Sequence, residues 1–179
     1  MLETDRLLLR RWKDSDREPF AAMNANPRVM AFFPSCLTRE ESDAFIDRAE
    51  SHFDIHGFGL FAAELKPQGV FAGFIGLHVA TFQAHFTPCV EIGWRIAEEF
   101  WNRGLATEGA RAVIQFAFDR LRLDNLVSFT SPENLASLKV MEKLGMTHDP
   151  ADDFDHPRLP AGHRLRHQTL YRISKPRTP

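Results

Sequence analysis

The stretch from Glu91 to Gly109, Glu-Ile-Gly-Trp-Arg-Ile-Ala-Glu-Glu-Phe-Trp-Asn-Arg-Gly-Leu-Ala-Thr-Glu-Gly, constrains this chain more than any other. It predicts a strand, a glycine-bearing loop and the first turn of a helix, an order that aims unpaired backbone N–H groups at whatever lies above the helix. Gly104 and Ala106 keep bulky side chains out of the loop, so an anion such as phosphate can approach the main chain. The plainer reading is an ordinary strand-to-helix connection, and the spacing alone does not separate the two. The loop contains neither Gly-Lys-Ser/Thr nor Gly-x-Gly-x-x-Gly, so the two commonest nucleotide signatures fail. Beyond it, Ala106, Ala110, Val113, Ile114, Ala117, Phe118 and Leu121 keep a helical period and predict a long helix with one buried face.

A chain of 179 residues with 44% hydrophobic side chains suits one domain with a full core. The net charge of -2 argues against a general nucleic-acid binder, whose affinity rests on neutralising phosphates. Met1 leads straight into charged residues and no apolar run is long enough to cross a bilayer, so a cytoplasmic protein without direct membrane contact is expected. Cys36 and Cys89 have no metal-type or redox-type spacing, and a reduced pair fits that compartment.

Around the central stretch, Leu7, Leu8 and Leu9 predict a first strand, and Asp14 or Ser15 a cap for a helix to about Asn24, which Pro27 ends. Thr38-Arg39-Glu40-Glu41 reads as a capping box for a second helix to about His56. Residues 57–65, 70–80 and 88–96 read as strands, the first two joined by the hairpin signal Lys66-Pro67-Gln68-Gly69. A short strand at 126–130, a helix from Asn134 to Leu144 stopped by Gly145, and a closing strand at 167–173 complete the order. The segment 149–166, rich in Asp, Pro and His, reads as an excursion within the same domain.

Arg103-Gly104-Leu105-Ala106-Thr107-Glu108, Pro132-Glu133-Asn134-Leu135-Ala136-Ser137 and Glu142-Lys143-Leu144-Gly145-Met146 together resemble the GNAT superfamily of acyl-CoA-dependent N-acyltransferases. The opening Glu3-Thr4-Asp5-Arg6-Leu7-Leu8-Leu9-Arg10 narrows the likeness to the branch that contains the RimJ/RimL-type ribosomal-protein N-terminal acetyltransferases. The resemblance covers nearly the whole chain. It implies an α/β fold with a strongly bent, mostly antiparallel sheet flanked by helices. It also implies acetyl-CoA as co-substrate, no metal, and a primary amine as acceptor, either a protein N-terminus or a small amine. It leaves room for a homodimer.

By the same resemblance the backbone of Asn102, Arg103, Gly104, Leu105, Ala106 and Thr107 cradles the CoA pyrophosphate, where the helix dipole adds a modest favourable contribution. Trp101 and Asn102 depart from the usual start of that motif and remove some side-chain donors, not the backbone ones. Trp94, Arg95 and Ile96 match the end of a strand that splays from its neighbour and offers its main chain to the pantetheine arm. Asn134 is a contact to that arm, a helix N-cap, or both.

An α-amine is mostly protonated at neutral pH, so a base is useful, and Glu91 is the first choice for it; a structural carboxylate is the other reading. Glu108, just inside a helix N-terminus, is better explained by the helix dipole. Many GNAT enzymes carry a tyrosine acid seven residues after the Asn; here Met141 stands there and cannot donate. Ser137 matches a serine implicated in RimL-like enzymes, and hydrogen bonding within the capping turn is the other reading. Phe32 and Phe33 are either acceptor contacts or core residues under a loop, and Tyr171 is expected in the core. The pairs His52/His56 and His163/His167 have i, i+4 spacing, but nothing completes a metal set.

Overall fold

The computed structural model describes residues 1–176. In chain order the elements are β1 (Leu2–Glu3), β2 (Leu7–Arg10), α1 (Arg17–Ala25), α2 (Arg39–His56), β3 (Leu60–Leu65), β4 (Val70–Val79), β5 (Val90–Ile96), α3 (Leu105–Asp119), β6 (Asn125–Thr130), α4 (Leu135–Lys143), β7 (Thr147–His148), β8 (Phe154–Asp155) and β9 (His167–Ser174). The strands form one sheet of order β1-β2-β3-β4-β5-β6-β9-β7, with β8 also paired to β9. Every pairing is antiparallel except β5 with β6.

Each face of the sheet has its own core. On one face Leu7, Leu9, Ile75, Leu77, Ile92 and Ile96 pack against the apolar stripe of α3. Gly109 is the contact point there, because a Cβ on it would collide with the Ile75 side chain. On the other face Trp12, Ala62 and Phe74 meet Phe20 and Met23 of α1 and Ile46 and Ala49 of α2. In β4, Gly73 adopts φ 136°, and a Cβ on it would collide with the Arg95 carbonyl oxygen, so only glycine lets β4 and the end of β5 approach this closely.

Sequence expectations and structure differ in four places. Gly57 (φ 75°) is the left-handed C-cap of α2, so the predicted strand at 57–65 begins only at Leu60. Asp14–Asp16 form a 3-10 turn and α1 starts at Arg17, because the Asp16 carboxylate is held by Arg10 and by the Lys13 N–H. The two-residue strands β1 and β7 are too short for any periodicity to reveal. The excursion 149–166 contains a 3-10 turn and β8, which pairs with the start of β9. The Thr38–Glu41 capping box forms as expected, with Glu41 Oε2 accepting from the Thr38 N–H at 2.8 Å.

Candidate active site

The parallel pair β5 and β6 meets at a single position, Glu91 opposite Val127. Beyond it β5 continues to Ile96 and β6 to Thr130 without further pairing, so the strands diverge and leave a V-shaped cleft. Trp94 and Ile96 turn their side chains toward the α3 core, so it is their main chain that edges the cleft. After β5 the chain turns through Glu98–Phe100, and the Trp101 indole N–H donates to Ile96 O at 2.7 Å, pinning the loop to the strand it leaves.

The loop then enters α3 through two left-handed residues, Asn102 (φ 58°) and Gly104 (φ 76°). Gly104 is the N-cap of α3, and no side chain caps the helix. The first intrahelical bond runs from the Glu108 N–H to Gly104 O at 3.0 Å, so helix geometry leaves the N–H groups of Leu105, Ala106 and Thr107 without intrahelical acceptors. Arg103 is exposed, with its guanidinium over the Phe100 ring.

Sequence reasoning missed what holds this loop. Arg6 donates through Nη1 to Arg103 O at 2.8 Å and pairs with Glu108 at 2.6 Å. Glu108 also accepts from Thr4 Oγ1 at 2.6 Å and from the Arg6 N–H at 2.9 Å. Burial works against its ionisation, but the Thr4 and Arg6 hydrogen bonds win and hold its pKa below the ordinary value. Glu108 therefore clamps the helix start to the turn between β1 and β2. The adjacency of Thr4 and Arg6 was visible in the sequence; their partner about a hundred residues on was not.

On the far side of the cleft Asn134 is the N-cap of α4. Its Oδ1 accepts from the Ser137 N–H at 3.3 Å and its Nδ2 donates to Thr130 Oγ1 at 2.9 Å, so the amide fastens α4 to the end of β6. The Ser137 side chain is half-buried in the first turn. Met141 is buried in the α3-side core. Tyr171 lies on β9, buried, with its ring stacked on His148 at 5.2 Å, a core position as expected.

Along β5 the side chains of Glu91 and Arg95 point to the α1–α2 face with Gly93 between them, opposite His78, Phe74 and Gly76 of β4 respectively. Glu91 has no hydrogen-bond partner among the described residues, and burial pushes its pKa up to about 8. A Cβ at Gly93 would meet nothing nearer than Glu91 Oε1 at 3.9 Å, so the floor beside the carboxylate is open. His78 is pushed down to about 4, by burial first and by His52 second.

His52 Nδ1 lies 2.8 Å from Phe58 O and must carry the proton, while Nε2 accepts the Val79 N–H at 3.1 Å. Both ring nitrogens are engaged, which removes His52 from any pairing with His56 at a metal. Among the described residues no group of three or more His, Cys, Asp or Glu side chains converges on a metal position. The Cys89 thiol is pushed up to about 11 by burial, the opposite of an activated nucleophile.

Three loops wall this face. Phe33 lies over the Arg95 guanidinium, its centroid 3.9 Å from Cζ, and Phe32 beside it is half-buried. Arg164 donates to Ala31 O in the same aromatic loop, and Arg158 donates to Thr81 O at 2.8 Å and to Thr81 Oγ1 at 2.7 Å in the β4–β5 loop. The excursion 149–166 thus ties the other two walls together, which its composition did not announce.

A family model described as Acetyltransferase (GNAT) domain matches residues 6–147. The chain belongs to the GNAT acetyltransferase family. YkkB of Bacillus subtilis is 30% identical over 146 residues, 81% of this chain and 84% of the relative. YnaD of the same organism, named an N-acetyltransferase, is 26% identical over 149 residues, 83% of each chain. The crystal structure of a GNAT-family acetyltransferase from Bacillus anthracis superposes with a TM-score of 0.80 at 25% identity, covering 97% of each chain. The nine-stranded mixed sheet with four flanking helices is the GNAT fold, and the protein is an acyltransferase of a family that uses acetyl-CoA.

Proposed function

We propose that the protein transfers acetyl from acetyl-CoA directly to a primary amine, with a protein N-terminal α-amine as the leading acceptor, in the RimJ/RimL-type branch. The observation that carries this reading is an uncapped helix start at Gly104 beside two diverging strands. An anion finds there the free N–H groups of Leu105 to Thr107 and no competing cap. In this reading the loop Asn102–Thr107 holds the pyrophosphate and the unpaired edge of Trp94–Ile96 holds the pantetheine arm. Asn134 borders the arm on the α4 side.

Acetyl-CoA supplies an activated thioester carbonyl. Backbone donors on the β5 edge favour the charge that develops on its oxygen, an effect worth about 3–4 kcal/mol where comparable donors have been removed. The amine settles over Gly93, and Glu91 takes its proton; a carboxylate with pKa about 8 is strong enough to do so near neutral pH. The departing thiolate takes a proton from Ser137 or from water. Phe32 and Phe33 border the acceptor.

A second reading, a CoA-binding sensor, is favoured by Met141 alone, which puts a buried thioether where many relatives have an acid. Calorimetry with acetyl-CoA, CoA and adenosine 3′,5′-bisphosphate, on wild type and Gly104→Val, tests the main reading. Binding that needs the pyrophosphate and arm is expected, and Gly104→Val, strained at φ 76°, should abolish it. Retained affinity in the variant would move the cradle elsewhere. Tight binding with no acetylation across peptide and small-amine panels would favour the sensor.

A further inference from the structure

Arg95 is 7% exposed. Its Nη1 donates to Asn24 Oδ1 at 2.5 Å. Asn24 is fully buried and spends its own Nδ2 on Ser42 Oγ at 3.0 Å, which aims its carbonyl at the arginine and keeps it there. The rings of Phe33, Phe74 and Phe45 surround the cation, with centroids 3.9, 5.2 and 5.8 Å from Cζ. Rings favour the face of a guanidinium and leave its in-plane N–H groups unanswered. Nε is sealed from solvent without an acceptor. Nη2 has no acceptor among the described residues either, and it is not sealed.

Nη2 is therefore the one nitrogen of the guanidinium that is both unpaired and reachable, and a carboxylate oxygen is the acceptor that suits a charged donor. Holding a cation in a dry site without a counter-ion is costly, and burial accordingly lowers the Arg95 pKa to about 10. Arg95 points to the same face of β5 as Glu91, with the open floor of Gly93 between them. Four residues of strand separate the two by about 13 Å at Cα.

We propose that the acceptor amine carries a carboxylate remote from its nitrogen, and that this carboxylate docks on Nη2 of Arg95 while the amine reaches Glu91. This rests on the acetyltransferase reading and names its acceptor class. A spacing of this order favours a carboxylate several bonds from the amine over that of an α-amino acid, whose amine and acid share one carbon. It suits an ω-amino acid, or a peptide N-terminus followed by an acidic side chain. Phe33 over the guanidinium and Asn24 on Nη1 hold the group in place, so Nη2 keeps one direction.

The test compares an acid with its amide. Calorimetry with 6-acetamidohexanoate and 6-acetamidohexanamide, in the presence of CoA, reads product binding without turnover, and acetylation of 6-aminohexanoate, 6-aminohexanamide and hexylamine reads kcat/KM. Wild type should prefer each acid about tenfold or more, the scale of one charge-assisted hydrogen-bonded contact. The preference should fall to about one in Arg95→Gln and return in part in Arg95→Lys, with the change in KM. Equal binding of acid and amide by wild type overturns the inference, whatever the turnover, and needs no variant to fold. Acetylation of none of the amines would count against the acetyltransferase reading, while the binding comparison would still decide the anion site.

Discussion

Two arginines lie on the α1–α2 face of the sheet, Arg10 on β2 and Arg95 on β5, and each is 7% exposed. Their surroundings are opposite. Arg10 is saturated: Nη1 and Nη2 bind both oxygens of Asp16 at 2.6 and 2.8 Å, and Nε binds Glu64 at 2.6 Å. Those hydrogen bonds, Asp16 first, raise its pKa against the effect of burial. Arg95 has one neutral amide, three rings and no acceptor for Nε or Nη2, and burial prevails. Equal burial therefore does not mean equal role. A cation with its counter-ions beside it joins β2 to β3 and α1, whereas a cation kept without one has a donor left over for the carboxylate proposed above.

The largest expected effect tests the saturated side. Arg10→Met leaves Asp16 with only the Lys13 N–H and Glu64 with only the Lys13 ammonium, and should cost about 3–5 kcal/mol in urea unfolding. Arg95→Met strands only the Asn24 carbonyl and should cost roughly 1–3 kcal/mol. Equal losses would break the comparison.

The contrast extends to carboxylates, because Glu64 is paired with Arg10 and Glu91 is paired with nothing. Glu91→Gln should lower turnover about 10²-fold or more and remove the rise in rate as pH climbs toward about 8, with little change in acetyl-CoA affinity. An unchanged pH–rate profile would strike Glu91 from the base role.

The same contrast extends to stability against pH, where the two acids should act with opposite sign. Burial raises Glu91, so its protonated form suits the fold; that contribution is present below the ordinary value of 4.5 and is lost as pH rises through about 8. Burial also disfavours the Glu64 charge, but Arg10 and Lys13 outweigh it and lower the pKa. That contribution is present above 4.5 and is lost as pH falls through the folded value. Melting temperatures should therefore show Glu91→Gln gaining on wild type in alkali, and Glu64→Gln losing its deficit in acid. A shared sign would show that the two carboxylates do not differ in the way their partners imply.

Much of the fold was legible because its signals are local. Helical period placed α3, the Thr38–Glu41 box placed the start of α2, and Lys66–Gly69 placed the β3–β4 hairpin. The candidate site was legible in part. Gly104, Glu91 and Asn134 stood out by position and resemblance, while Arg6, Arg158 and Arg164 did not, since each acts on a residue far along the chain. Arg95 was singled out for its main chain alone; its side chain turns to the other face and meets Asn24, 71 residues away.

The amino-acid sequence by itself determined which segments become strand or helix and where the uncapped helix start falls, because propensity, periodicity and glycine's freedom at positive φ act over a few residues. Only the tertiary structure decided which charges are satisfied. Counter-ions are assigned by the stacking of β2, β5, α1 and α2, and burial gives the same side chain opposite electrostatics according to what packing brings beside it.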